Sequence, residues 1–123
     1  MAVEAALSKK GENVVVMSLE DVTGMADYFV ICEGTSDLQV KAVANAVKDT
    51  IKEQTAERPW HSEGLDTWQW VLLDYVDVVV HIMAPEKREY YGLERLWGDA
   101  KSVGVPDDAS LADVRSLIDS LAQ

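Results

Sequence analysis

Asp74 and Asp77 bracket the pair Tyr75–Val76, and Gly34-Thr35-Ser36 stands where an apolar run gives way to a helical pattern. Between them these could do phosphoryl or nucleotidyl chemistry, with backbone amides cradling a phosphate and two carboxylates holding a divalent cation. That chemistry needs the carboxylates on a strand beside the glycine loop, whereas Asp74 and Asp77 flank a turn. One glycine makes a poor phosphate loop, and Ser36 with Gln39 reads as an S-x-x-Q capping box, each satisfying a free amide of the other's backbone. His61, His81 and Cys32 are too few and too scattered for zinc, and no nucleophile-elbow spacing accompanies the serines. The residues therefore predict no catalytic constellation, no metal and no cofactor. A nucleotide-binding enzyme, or the remnant of one, is the alternative reading.

The elements that must position these groups follow from periodicity. Val3, Ala6 and Leu7 predict a helix over 2–10 with Gly11 as its stop. Residues 13–19 and 27–33 read as strands joined by a loop at 20–26. A helix over about 37–54 carries Val40, Val43, Ala44, Val47 and Ile51 in one stripe. Residues 55–66 are irregular, with Pro59 barring helix continuation. "TWQWVLLD" and "DVVVHIM" predict a hairpin, and "APEKREYYGLERLW" a helix with Pro85 in its first turn. "SVGVPDD" breaks that helix, and residues 110–122 form an amphipathic helix led by Ser110. Strands alternating with helices around one hairpin predict a small single α/β domain, a mixed sheet flanked by helices.

A two-residue turn at Tyr75–Val76 sets Asp74 opposite Asp77, Leu72 opposite Val79, Trp70 opposite His81 and Trp68 opposite Met83. One face then carries Val71, Leu73, Val78, Val80 and Ile82, and must lie under helices. The other carries Trp68, Trp70, Leu72, Asp74, Asp77, Val79, His81 and Met83. Tryptophan anchors with a polar rim are what interfaces use. The expected partner surface is accordingly Trp70, Asp74, Tyr75, Asp77, Val79 and His81, with Tyr91 beside it; the competing expectation is a helix lying over that face. In "REYYGLERLW" a continuous helix would put Tyr90, Leu93, Leu96 and Trp97 on one core-facing arc and leave Tyr91 outside with Arg88 and Arg95.

Composition narrows the partner. A net charge of −11 over 123 residues repels phosphate backbones, so direct nucleic-acid binding is disfavoured and a basic protein favoured. The apolar runs are strand-sized, well short of the roughly 20 residues that cross a bilayer, so no membrane partner is expected. The amino-terminal stretch lacks the apolar core of a signal peptide, and a lone cysteine fits a reducing compartment; the expected location is the cytoplasm.

Residues 27–47 (D-Y-F-V-I, then T-S-x-x-Q-V), 70–82 (L-L-D-Y-x-D-V-V-V-H) and 88–100 (Y-x-x-L-E-x-L-W) together resemble the ribosomal silencing factor family, also called RsfS or Iojap. The resemblance covers most of 3–100, and divides the chain into a domain over 1–100 and a helical extension over 101–123. It departs at Val76, where the family commonly has glycine. The resemblance implies a nucleotidyltransferase-like fold without the active site. It also implies binding to the large ribosomal subunit through ribosomal protein L-fourteen, steric exclusion of the small subunit, repression of translation when nutrients are short, and a possible homodimer.

Overall fold

The computed structural model describes residues 1–19, 26–98 and 100–121. Its centre is a six-stranded sheet in the order β3-β4-β5-β2-β1-β6. The strands are β1 (Glu12–Ser18), β2 (Tyr28–Glu33), β3 (His61–Glu63), β4 (Trp70–Asp74), β5 (Val78–Met83) and β6 (Lys101–Val105). Among the described residues only β2 and β5 run parallel, pairing Val30 with Val80 and Cys32 with Ile82; the other neighbouring strands pair antiparallel. Helices α1 (Ala2–Ser8), α2 (Asp37–Thr55), α3 (Pro85–Tyr91), α4 (Leu93–Leu96) and α5 (Leu111–Leu121) complete the chain. The expected α/β domain with a mixed, helix-flanked sheet is what forms. The loop expected at 20–26 lies almost wholly outside the described residues.

Side-chain alternation gives the sheet two apolar faces. Val14, Val16, Val30, Cys32, Val71, Leu73, Val80 and Ile82 share one core cluster with α1, α2 and α5. The predicted α2 stripe is the buried stripe, residue for residue. On the other face Met17, Phe29, Ile31, Val79 and Met83 gather under Leu93 of α4, with Trp70, Leu72 and Trp97 half-buried around them. Two helical layers thus cover the sheet unequally, three helices against one short pair.

Several local expectations give way. Helix α1 does not stop at Gly11 alone: Lys10 takes the left-handed conformation, φ +62°, and Gly11 N–H reaches back to the Ala6 carbonyl at 2.9 Å. This is a Schellman cap, in which Gly11 supplies close approach instead of positive φ. Residues 101–105, expected only to break a helix, are the edge strand β6, with Val105 opposite Val14 and Val103 opposite Val16. The long helix over 85–97 is two helices, because Gly92 turns left-handed at φ +55°. That reversal resets the helical phase, so Tyr90 and Leu96, expected in the core, stand exposed at 79% and 68%. Leu93 stays buried, and Trp97 stays half-buried with its ring edge-on to Phe29 at 6.3 Å.

Candidate partner-binding face

The turn sits one residue further along than expected, at Val76–Asp77, so the register differs by two residues: Trp70 pairs with Met83, Leu72 with His81 and Asp74 with Val79. A two-residue slip preserves which face each side chain takes. The cause lies in the turn. Asp74 Oδ1 accepts the Val76 N–H at 2.8 Å, Asp77 N–H donates to the Tyr75 carbonyl at 3.0 Å, and Tyr75 N–H donates to the Val78 carbonyl at 2.9 Å. The first is an Asx turn; the second is a γ-turn with Val76 at its apex, φ +77°. A β-branched residue at positive φ is strained, since its Cβ crowds the backbone. The Asp77 carbonyl holds the turn in place by accepting both Asp27 N–H at 2.8 Å and Tyr28 N–H at 3.1 Å.

The expected surface residues separate into three places. Trp70 begins β4 half-buried, Asp74 ends it half-buried, and Asp77 is exposed in the turn. Trp70 and Asp74 share a face and lie about 13 Å apart at ~3.3 Å per residue. Val79 and His81 do not reach the surface: they are buried, at 8% and 3% exposed, beneath that face. Tyr75 points the other way, packed half-buried against the helix-covered cluster. Trp68 departs too: it precedes β4 in a turn at φ +57°, packs on the helix side and lies under the Lys41 ammonium.

His81 nevertheless shapes the surface from below. Trp70 Nε1–H donates to His81 Nδ1 at 3.1 Å, and Phe29 stands edge-on to the imidazole at 4.7 Å. Burial pushes the His81 pKa down to about 4, against an opposing pull from the Asp74 carboxylate. The ring is therefore neutral, with Nδ1 as acceptor and the proton on Nε2. Tyr91 leans on Trp70 with centroids 4.7 Å apart, and Tyr90 meets Tyr91 edge-on at 5.0 Å. A ladder of rings thus climbs from Phe29 through His81, Trp70 and Tyr91 to Tyr90, each pair adding roughly 0.5–1.5 kcal/mol beyond area burial. Its outer rungs are 48% and 79% exposed. Tyr90 was missed in the sequence; Gly92, read as a helix end, is the signal that would have found it.

Arg88, on the helix that carries the outer rungs, ties that helix to β1, β2 and α4, and two of its three partners lie far away along the chain. Its guanidinium is buried, donating to the Asn13 carbonyl at 2.6 Å, to Glu33 Oε1 at 3.3 Å and to Glu94 Oε1 at 2.9 Å. Asn13 can offer that carbonyl because β1 bulges there, with Asn13 at φ +50°.

The loop at Gly34–Ser36 is a helix cap. Ser36 Oγ accepts the Gln39 N–H at 3.1 Å, while Gln39 Oε1 accepts the Thr35 N–H at 2.7 Å and its Nε2 donates to the Lys10 carbonyl at 2.8 Å. The reciprocal bond lands on Thr35 and not Ser36, one residue from the expected box. A Cβ on Gly34 would sit 2.8 Å from Val40 Cγ2 and 2.9 Å from Val40 N, so packing explains this glycine. Among the described residues, no three of His, Cys, Asp or Glu could hold a metal ion together. Among the same residues, no helix is long and apolar enough to cross a membrane.

Comparison with known proteins places this architecture. The family model described as "Ribosomal silencing factor during starvation" matches residues 1–120. The chain is 44% identical over 103 residues to ribosomal silencing factor RsfS of Halalkalibacterium halodurans, covering 84% of this chain and 87% of that one. A crystal structure of a Chromobacterium violaceum protein superposes with a TM-score of 0.77 at 39% identity, covering 80% of this chain and 81% of that chain. Mouse "Mitochondrial assembly of ribosomal large subunit protein 1" is 31% identical over 99 residues, 79% of this chain but 43% of that longer protein. With a six-stranded mixed sheet, an aromatic ladder on its thinly covered face and a family match across nearly its whole length, the chain belongs to the ribosomal silencing factor family.

Proposed function

We propose that this protein binds the large ribosomal subunit through ribosomal protein L-fourteen, excludes the small subunit sterically and so lowers translation when nutrients are short. The observation that carries this is the Trp70–Tyr91–Tyr90 ladder, which ends in exposed rings beside a face covered by one short helix pair. Exposed aromatics ordered by stacking lose little rotamer freedom on binding and serve as interface anchors. Asp74 lies about 13 Å from Trp70 along β4 and the exposed Asp77 stands in the turn beyond it, so a partner must span that length and bring positive charge to its far end. The whole chain's net charge of −11 favours a basic ribosomal protein over bare RNA. The relatives, silencing factors and a large-subunit assembly protein by name, support a partner on the ribosome.

The mechanism is occupancy without turnover. Added to separated subunits, the protein reduces assembled particles in proportion to its amount, saturates near one copy per large subunit and needs neither ATP nor GTP. Sucrose-gradient titration with and without nucleotide tests this. A substoichiometric, nucleotide-dependent loss of assembled particles would refute occlusion and favour an enzyme.

A further inference from the structure

His81 is buried where the surroundings suit an apolar side chain. Its cross-strand neighbours are Ile31 of β2 and Leu72 of β4, and Phe29 stands edge-on to the ring. The imidazole is 3% exposed, and its Nε2 has no hydrogen-bond partner among the described residues. A polar atom that gives up water and gains no partner weakens the folded state. On packing alone a leucine of similar volume suits this position better than histidine. What a leucine cannot supply is Nδ1, which accepts Trp70 Nε1–H at 3.1 Å.

That bond lies at the root of the exposed ladder. Trp70 is half-buried, and Tyr91 rests on its indole with centroids 4.7 Å apart. A tryptophan ring turns about two side-chain bonds, and its N–H is the single polar point by which a neighbour can fix it. With the N–H held from below, the indole offers Tyr91 one orientation to lean on. Without it, both rings gain rotamers that a partner must remove again on binding. We propose that His81 is a positioning residue for partner binding: out of the partner's reach, it fixes the Trp70 indole through Nδ1, and Tyr91 through Trp70, in the orientation the partner meets. This role rests on the reading of the face as the large-subunit surface, and it replaces the expected contact at His81 with an indirect one. The second ring nitrogen, buried and unpaired, is then tolerated for what the first one does.

The test compares His81→Leu, which fills the site and lacks an acceptor, with His81→Asn, whose Oδ1 takes the place of Nδ1 but which packs poorly. The readouts are thermal unfolding, the Trp70 indole N–H signal in NMR of the free chain (assigned by its loss in Trp70→Phe), and co-sedimentation with large subunits. His81→Leu is expected to melt above His81→Asn, which leaves a cavity and a buried amide. Binding is expected in the opposite order. His81→Leu should bind about tenfold more weakly than wild type, the scale of re-ordering two freed aromatic side chains, and His81→Asn within about threefold of wild type. The indole signal should move upfield in His81→Leu and stay downfield in His81→Asn. Wild-type affinity in His81→Leu, binding that follows the melting order, or an indole signal unmoved in His81→Leu would each overturn the proposal while leaving the large-subunit reading in place. Wild type that fails to sediment with large subunits would overturn both.

Discussion

Arg88→Met keeps an apolar stem and removes the guanidinium, and three acceptors lose their donor at once. Glu33 matters most: its side chain is 15% exposed and that of Arg88 9%, so water screens the stranded charge poorly. Breaking a fully buried pair costs about 3–5 kcal/mol; the partial exposure and the long 3.3 Å contact reduce this to about 2 kcal/mol. Glu94, at 40% exposed, adds less than ~1 kcal/mol. The Asn13 carbonyl of the bulge adds about 1 kcal/mol for a lost charge-assisted bond. The expected destabilisation is about 3–4 kcal/mol, which for a domain of this size lowers the thermal midpoint by about 10–20 °C. The assay is urea and thermal unfolding of wild type, Arg88→Met, Glu33→Gln and the double variant. Because Glu33→Gln removes the stranded charge, the double variant should recover about 1–2 kcal/mol relative to additivity. A midpoint within about 3 °C of wild type for Arg88→Met, or strict additivity in the cycle, would refute the reasoning.

Val76→Gly should stabilise the fold by about 1 kcal/mol in urea unfolding, since relief of a β-branched residue at φ +77° outweighs glycine's extra unfolded-state entropy. Asp77→Lys should weaken large-subunit binding in co-sedimentation by more than ~1 kcal/mol while the thermal midpoint stays near wild type, because the side chain is exposed. His81, held to about 4 against an ordinary 6.5, is neutral when folded but protonates in the unfolded chain, so its contribution is complete above about 6.5 and is lost as pH falls toward 4. The loss reaches about 3 kcal/mol, and urea titrations across that window should show it in wild type and not in His81→Phe.

What could be read from the sequence is what local physics decides. The α2 stripe from Val40 to Ile51 and the aliphatic run at Val71, Leu73, Val80 and Ile82 are fixed by period, and both are core. The face assignment of Trp70 and Asp74 survived a wrong register because the slip was even. The register itself depends on side chain to backbone bonding at Asp74 and on two amides from Asp27 and Tyr28, a contact across some fifty residues that no hairpin rule contains. Tyr90 was misplaced because one left-handed residue at Gly92 rephases everything before it relative to everything after. Arg88 was invisible because its carboxylate and carbonyl partners lie up to 75 residues away. Strands β3 and β6 are short edge strands whose weak patterns gain meaning only from β4 and β1 beside them.

The pairing of β6 with β1 sets a schedule for synthesis. Strand β1 is finished at Ser18, yet its outer neighbour begins at Lys101. At ~5–20 residues per second, on the order of ten seconds separate the two on a translating ribosome. The parallel β2–β5 pair at the centre also waits, for the whole of α2, β3 and β4. Throughout that interval the amides and carbonyls along one side of β1 lack their final partner, in a strand rich in valine. An unpaired edge of that kind recruits other strands. A protein of the ribosomal silencing factor family therefore carries an open, valine-rich strand edge throughout its own synthesis on a ribosome.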